Sequence, residues 1–568
     1  MPGPDGAWGP ALLTAVEAGD VPVSAIDRKV HRILTLAARV GALEDFEPAQ
    51  ADHGHGEDGV VFAREAAAEG MVLVRNDHVL PAESATVSRI AVLGHNAAQA
   101  RSQGGGSATV VPERVVSPLD GIRAAFPDAE VDHAIGAVVQ QGIAEFPLAT
   151  ITNPITGEPG ARVAFLRDGR ELFVEERRAT ALYWFGGDAP TREADTLEIT
   201  TTYSPEDTGT VRIGIGSAGR SRMWIDGELV LDETVAVSGD QLGAAFLDPP
   251  TRSVPVAATA GRPMDIRISY DVAQDSGLDG VLTYQFGTEP TETDPQQLID
   301  EAVATATGAD LAVVVVGTNA KVESEGYDRT SLALPGHQDE LVRAVAAANP
   351  NTVVVVNAGA PVELPWRDDV AAVLLTWFGG QEFGNALGDV LTGAREPGGR
   401  LPTTWPAAQT DVPVLDVTPV NGKVHYAEGV HIGYRAWLRE GTAPAYPFGF
   451  GLGYTTWEIR DVMAEPDGDG GGAVTATVTN TGSRPGKHVV QVYASRTDTT
   501  IDRPARWLVG FQVVHLDASE ATEVTIAVPA RAFAHWDGGW AYEPGTFTLH
   551  VGASVLDIAG SAELTTGP

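Results

Sequence analysis

The chain has 568 residues, no cysteine, and a formal net charge of -38 from 38 basic and 76 acidic side chains. Lack of cysteine excludes disulfide frameworks, thiolate catalysis and cysteine-built metal sites, and the acidic field disfavours nucleic acid and anionic membranes as partners. Hydrophobic residues at 43% against 20% charged fit folded domains rather than disorder, roughly three or four of them at this length. No apolar run reaches the roughly 20 residues of a membrane-spanning helix.

The opening MPGPDGAWGP has neither a basic segment nor an apolar core of the secretory type; location stays open, with the cytoplasm the favoured side. From Trp8 to Leu43, Leu12, Leu13 and Val16, then Ile26, Val30, Ile33, Leu34 and Leu36, recur at helical spacing and predict two or three helices. Glu44 to Gly59 is polar and reads as a linker. Its His53 and His55 lack a matched carboxylate set and read as exposed side chains rather than a metal site.

From Val60 an alanine-rich helix leads to MVLVRND and then to SRIAVLGHNA, in which Ile90 to Leu93 is a short apolar run ending in glycine. That is a buried strand feeding a loop. The same grammar recurs in LAVVVVGTN, TVVVVNAG and AAVLLTW, with helical segments such as DELVRAVAAAN between them, so a mainly parallel sheet covered on both faces is expected. Residues 137–290 instead alternate, as in TLEITTTY, TVRIGIGS and MDIRISYDV, and predict a β domain inserted into the α/β domain. PEDTG and Asp226–Gly227 mark its turns. The Pro- and Gly-rich stretch 413–456 reads as a second linker, and alternation over 457–568 predicts a small β-sandwich. The α/β domain is then split into 59–136 and 291–412.

Several segments offer chemistry. In KVESEGYDR, Glu325 follows a buried strand and sits beside Gly326, on a loop able to carry its carboxylate towards a neighbouring domain. Composition alone reads the same acidic loop as solvated surface. Asp328 and Arg329 read as a local ion pair or clamp holding the loop. GGGSA, Gly104 to Ala108, lacks the lysine-serine ending of a nucleotide loop and the spacing of a dinucleotide site, and reads as a close-packed loop near a domain interface. Tyr183, Trp184 and Phe185 form an aromatic cluster suited to stacking on sugar rings, or, for Trp184, to filling the β core.

The order of these parts, with MPGP, IDRKVHRIL, VLVRN, GGGSATVVP, VESEGYDRTSLALPGHQDEL, RLPTTWP, EGVHIGYR and PFGFGLGYT, resembles the family 3 glycoside hydrolases. The match is to the subgroup whose α/β sandwich carries an inserted PA14 domain and is followed by a fibronectin type III-like domain. The resemblance implies that residues 1–58 are the end of a barrel and its linker, and that the barrel carrying the nucleophilic aspartate is otherwise missing. It implies Glu325 as acid/base, Glu323 as runner-up, Asp328 and Arg329 as loop support, and a PA14 domain that restricts the outer sugar subsite. The implied activity is exo-acting β-glucosidase-type hydrolysis by retaining double displacement, which needs two carboxyl groups about 5 Å apart. The substrate is a β-linked oligosaccharide or an aryl or alkyl β-glycoside, without cofactor or metal, and homo-oligomerisation is left open. The competing reading is a non-catalytic carbohydrate-binding or scaffold remnant, inactive as an isolated chain. A nucleotide-binding α/β domain ranks third, for want of a phosphate fingerprint.

Overall fold

The apolar runs Ile90–Leu93, Leu311–Val316 and Val353–Val356 can satisfy their backbone groups and bury their side chains only in the middle of a sheet with both faces covered, and the computed structural model puts them there. It describes residues 9–43, 46, 58–106, 110, 112–139, 142–185, 187–236, 249–272, 281–289, 294–325 and 328–567. Two units result, Met1–Val61 and Phe62–Pro568. The first holds helices α1, Pro10–Glu17, and α2, Val23–Arg39; on α2 the apolar Val30, Ile33, Leu34 and Leu36 are exposed. Among the described residues no helix is long and apolar enough to cross a membrane.

The centre of the second unit is a six-stranded sheet of β1, Val72–Asn76, β2, Arg89–Leu93, β3, Glu130–Ala134, β4, Leu311–Gly317, β5, Thr352–Asn357, and β6, Ala372–Leu375. Their spatial order is β1-β6-β5-β4-β2-β3, parallel throughout except that β1 runs antiparallel to β6. Strand alternation divides the core. Ile90, Val92, Val313, Val315, Val353 and Val355 face helices α3, Gly59–Gly70, α4, His95–Ala98, α5, Pro118–Ala125, and a helix at Phe383–Thr392. Ala91, Leu93, Val314, Val316, Val354 and Val356 face α6, Pro295–Ala306, α7, Gln338–Ala348, and the buried indoles of Trp366 and Trp405. The helix at Phe383–Thr392 is α8.

Chain direction around this sheet matters for function. β2 connects through α5 to β3 on one side, whereas β4 lies against β2 on the other. The chain thus leaves the carboxyl ends of β2 and β4 in opposite directions, which is the topological switch point where open α/β sheets form their crevice.

Between β3 and α6 the chain builds the inserted β domain, one sheet centred on Gly209–Gly216 and Leu282–Glu289 and a second on Thr196–Tyr203 and Met264–Asp271. Their inner faces enclose Phe165, Trp184, Leu197, Tyr284 and Phe286. The Asp226–Gly227 turn joins two antiparallel strands with both residues at positive φ, 50° and 83°, as a two-residue hairpin of primed type requires. At the C-terminal end, a three-stranded and a four-stranded sheet pack over Val478, Val492, Phe547 and Leu549.

The second linker differs from its expectation. Residues 446–454 form a strap rather than a spacer: the Leu452 N–H donates to the Leu73 carbonyl, Leu401 N–H to Phe450, and the Tyr454 hydroxyl to Val390 at 2.6 Å. On its other side Gln491 Nε2 donates to the Gly449 carbonyl at 2.9 Å, and Tyr434, on α9, Tyr434–Glu440, stacks on Phe448 and accepts from the Leu508 N–H. Alternating Phe and Gly in PFGFGLGY anchor in both domains while leaving no Cβ where backbones meet. Pattern reading registers the glycines as flexibility because the partners lie far away in sequence.

Two measurements test this packing. Helices α5 and α8 cross so closely that a Cβ on Gly121 would overlap the backbone of Gly384; Gly121→Ala is expected to destabilise the α/β domain by about 1–3 kcal/mol, read by calorimetry. His488 is buried, stacked 5.2 Å from the Trp457 ring, and neither ring nitrogen has a hydrogen-bond partner among the described residues. Burial, with the Arg400 charge adding to it, lowers its pKa to about 4. The folded state therefore favours the neutral ring, and its stability is full above the unfolded value of about 6.5 and falls as pH drops from there to about 4. Denaturant titrations should show a loss of about 3 kcal/mol across that window, absent in His488→Phe.

Candidate active site

Glycines decide the local path at the carboxyl ends of β2 and β4. The Gly105 N–H donates to the Glu323 carbonyl at 2.9 Å, and the Glu325 N–H donates back to the Gly105 carbonyl at 3.2 Å. Gly105 and Ser324 thus form a parallel bridge between the two loops of the switch point. A Cβ on Gly105 would sit 2.6 Å from the Ala320 carbonyl oxygen, and one on Gly106, at φ 126°, 2.6 Å from Glu325 Cβ and 2.9 Å from its Oε2. The glycine loop is therefore the seat on which the Glu325 side chain rests. That close packing explains GGG without any phosphate. Ser107 and Ala108, the end of that motif, lie outside the described residues, as do Gly326 and Tyr327.

The two neighbouring glutamates have different environments. Glu323 turns inward, with its side chain 13% exposed. Its Oε1 accepts from the Thr318 hydroxyl at 2.7 Å and from the Gly359 N–H at 3.2 Å, and Arg329 Nη1 lies 3.6 Å away. Two donors and a cation on one oxygen commit this carboxylate to holding the loop. Glu325, two residues on, is exposed.

Arg329 Nη1 lies 3.6 Å from Glu323 Oε1, and its Nη2 donates to the Pro361 carbonyl at 2.8 Å. Asp328, expected as its partner, is exposed instead. A half-buried guanidinium is better satisfied by the inward carboxylate and a carbonyl across the crevice than by an adjacent side chain facing water.

Sequence reading missed the floor of the crevice. The Phe378 ring lies against Gly104 and Gly359, within 3.4 Å and 2.6 Å of where their Cβ atoms would be. Trp377, at φ 55°, is fixed by its Nε1–H to the Gly70 carbonyl and by Asn357 Nδ2 donating to its own carbonyl at 2.6 Å. Nothing in TWFGG announces a non-glycine residue at positive φ; the wide apolar run before it was the only local signal.

The aromatic trio of the inserted domain is divided by strand alternation. Trp184 is fully buried, edge-on to Phe165, with its indole N–H donated to Glu175 at 2.6 Å. It fills the β core, so its expected stacking on sugar is corrected here: no ring face is open. Tyr183 is half-buried and Phe185 is exposed. The outer face of the same sheet meets the site loop through Lys321 Nζ and Gln285 Oε1 at 3.5 Å. His53 and His55 lie outside the described residues, among which no cluster of three metal-ligating side chains occurs.

The contrast between the two glutamates has a thermodynamic signature. Glu323→Ala leaves Thr318 and Gly359 without this acceptor and Arg329 without its carboxylate partner, and is expected to lose about 2–3 kcal/mol. Glu325→Ala, at an exposed position, should lose less than Glu323→Ala does, both read by denaturant unfolding.

Residues 71–454 match the glycosyl hydrolase family 3 C-terminal domain, and 488–555 match a fibronectin type III-like domain. A β-glucosidase of Rhizobium radiobacter is 37% identical over 99% of the chain and 69% of its own length, and β-glucosidase B of Emericella nidulans 33% identical over 99% and 70%. The crystal structure of a Kluyveromyces marxianus β-glucosidase in complex with glucose superposes with a TM-score of 0.87 at 29% identity, covering all of the chain and 70% of that protein. With the family domain spanning the split α/β sheet and its switch-point loops, this chain belongs to glycosyl hydrolase family 3.

Proposed function

We propose that the chain supplies the acid/base half of an exo-acting β-glucosidase-type site, with Glu325 as the proton donor and then the water-activating base of a retaining double displacement. The observation that carries this reading is the difference between Glu323 and Glu325: the first turns its carboxylate inward onto Thr318, Gly359 and Arg329, and the second is exposed at the switch point, packed against the glycine loop. An acid/base must reach the glycosidic oxygen of a substrate held by another element, and an exposed carboxylate on a braced loop suits that task. Glu323, already committed to Thr318, Gly359 and Arg329, does not.

The second carboxyl of a retaining pair stands about 5 Å from the first. We place it in the part of the longer relatives that has no counterpart in these 568 residues, where the relatives extend by roughly a third of their length. The substrate is then a β-linked oligosaccharide or an aryl or alkyl β-glycoside. The inserted domain, read as PA14-like, stands beside the outer subsite, and its contact through Gln285 and Lys321 supports a restriction to short substrates. A non-catalytic carbohydrate-binding or scaffold role is the second reading, favoured by the same division of the active site between this chain and residues outside it.

The 568-residue chain alone is expected to release nitrophenol from an aryl β-glucoside at close to the uncatalysed rate, since the residues of such a site act as a unit; robust turnover would sink the proposal. Supplied with a family 3 barrel segment in trans or by fusion, it should gain turnover that Glu325→Gln lowers about 10²–10⁴-fold, with azide restoring turnover of the activated substrate. Failure to gain turnover would favour the scaffold reading, and an unaffected Glu325→Gln would remove the assignment.

A further inference from the structure

In the C-terminal β domain a short hairpin, Ala534–Trp536 and Trp540–Tyr542, turns through Asp537, whose N–H donates to the Gly539 carbonyl at 2.8 Å. Its pairing sets Trp536 opposite Trp540 and Ala534 opposite Tyr542. Strand alternation then puts all four on one face. Trp536, Trp540 and Tyr542 are 64%, 48% and 54% exposed, while His535 and Ala541, on the other face, are half-buried. The two indoles meet edge to face with centroids 5.2 Å apart, and Ala534, opposite Tyr542, is the small residue of the four.

The hairpin is pinned at both ends. Buried Phe533 precedes it, its carbonyl accepting from Arg503 Nη2 at 2.9 Å, and the Glu543 and Pro544 carbonyls after it accept from Arg496 at 3.0 Å each. The Arg531 guanidinium carbon lies over the Trp540 ring, 3.1 Å from its centroid, and the guanidinium makes no hydrogen bond or ion pair among the described residues. Three presented rings and a planar cation with unused donors thus lie together on a fixed support.

We propose that this face is a carbohydrate-docking platform outside the catalytic crevice, taking neutral pyranose units of a β-linked glucan or oligosaccharide. Ring C–H faces stack on the indoles and phenol, and the Arg531 fork donates to sugar hydroxyls. Charge selects the occupant: at a net -38, a second copy of the chain or any polyanion is repelled, whereas a neutral polyol meets no such barrier. Area points the same way. The three rings expose roughly 300–400 Å², short of the about 800 Å² per partner of a stable protein interface but ample for two or three sugar rings. The ligand class rests on the glycosidase reading above; the place and residues do not.

The full chain is run in native gels containing soluble mixed-linkage β-glucan. Retardation is expected for the parent and for Glu325→Gln, with at least a tenfold weaker apparent affinity for Trp536→Ala and for the Trp536→Ala/Tyr542→Ala pair, and near-parental retardation for Trp536→Phe, which keeps a ring. Unchanged circular dichroism and melting confirm folding of each variant. No retardation of the parent, or equal retardation of the alanine variants, overturns the platform. So does concentration-dependent self-association in sedimentation that Trp536→Ala abolishes, which would make the face a contact between copies. The glycosidase reading fails by a different readout, turnover unaffected by Glu325→Gln, so the two are separable.

Discussion

The pairing of two loops across the switch point, Gly105 with Ser324, is the constraint on which the candidate site depends. It exists because β2 and β4 are neighbours whose connections depart in opposite directions. It persists because no Cβ stands in the way at Gly105 or Gly106. The inward-turned Glu323 then acts as a bolt: Thr318 comes from the end of β4, Gly359 from beyond β5, and Arg329 from the far side of the loop. One carboxylate thereby ties together the loops of two adjacent strands. Glu325, whose N–H bonds the Gly105 carbonyl, takes its position from the same pairing of loops.

The other domains are joined to this centre by packed segments. The strap at 446–454 lies between the α/β sheet and the C-terminal sandwich, hydrogen-bonded on both sides. Glu396 adds a second fastening, accepting from the Tyr454 N–H at 2.7 Å and from the Lys487 N–H at 2.6 Å. Interfaces of this kind transmit position, so the fibronectin type III-like domain is a fixed extension of the α/β domain. Any sugar held at the aromatic hairpin would be held at a set distance from the crevice, which gives a docking face there its value to a hydrolase.

Much of the architecture was legible because hydrophobic period is a local property. Runs such as VVVV at Val313 to Val316 admit few structures other than a central strand, and alternation marked both β domains. The linker reading failed at the strap because PFGFGLGY takes its order from Leu73, Leu401 and Gln491, none of them near in sequence. Trp184 was divided from Tyr183 and Phe185 by which face of a strand was enclosed, a matter of what packs opposite. For Arg329 the local pattern offered the adjacent Asp328 as partner, whereas the ion pair goes to Glu323, six residues earlier on the same loop.

The sequence by itself determined the family, the order of the domains and the acidic loop that carries Glu323 and Glu325, because motifs and periodicity are written in contiguous residues. Only the tertiary structure decided which of those two carboxylates turns inward and which is exposed. Burial and hydrogen bonding are set by Thr318, Gly359 and the glycine loop arriving from other strands, and two glutamates two residues apart look alike until those neighbours are in place.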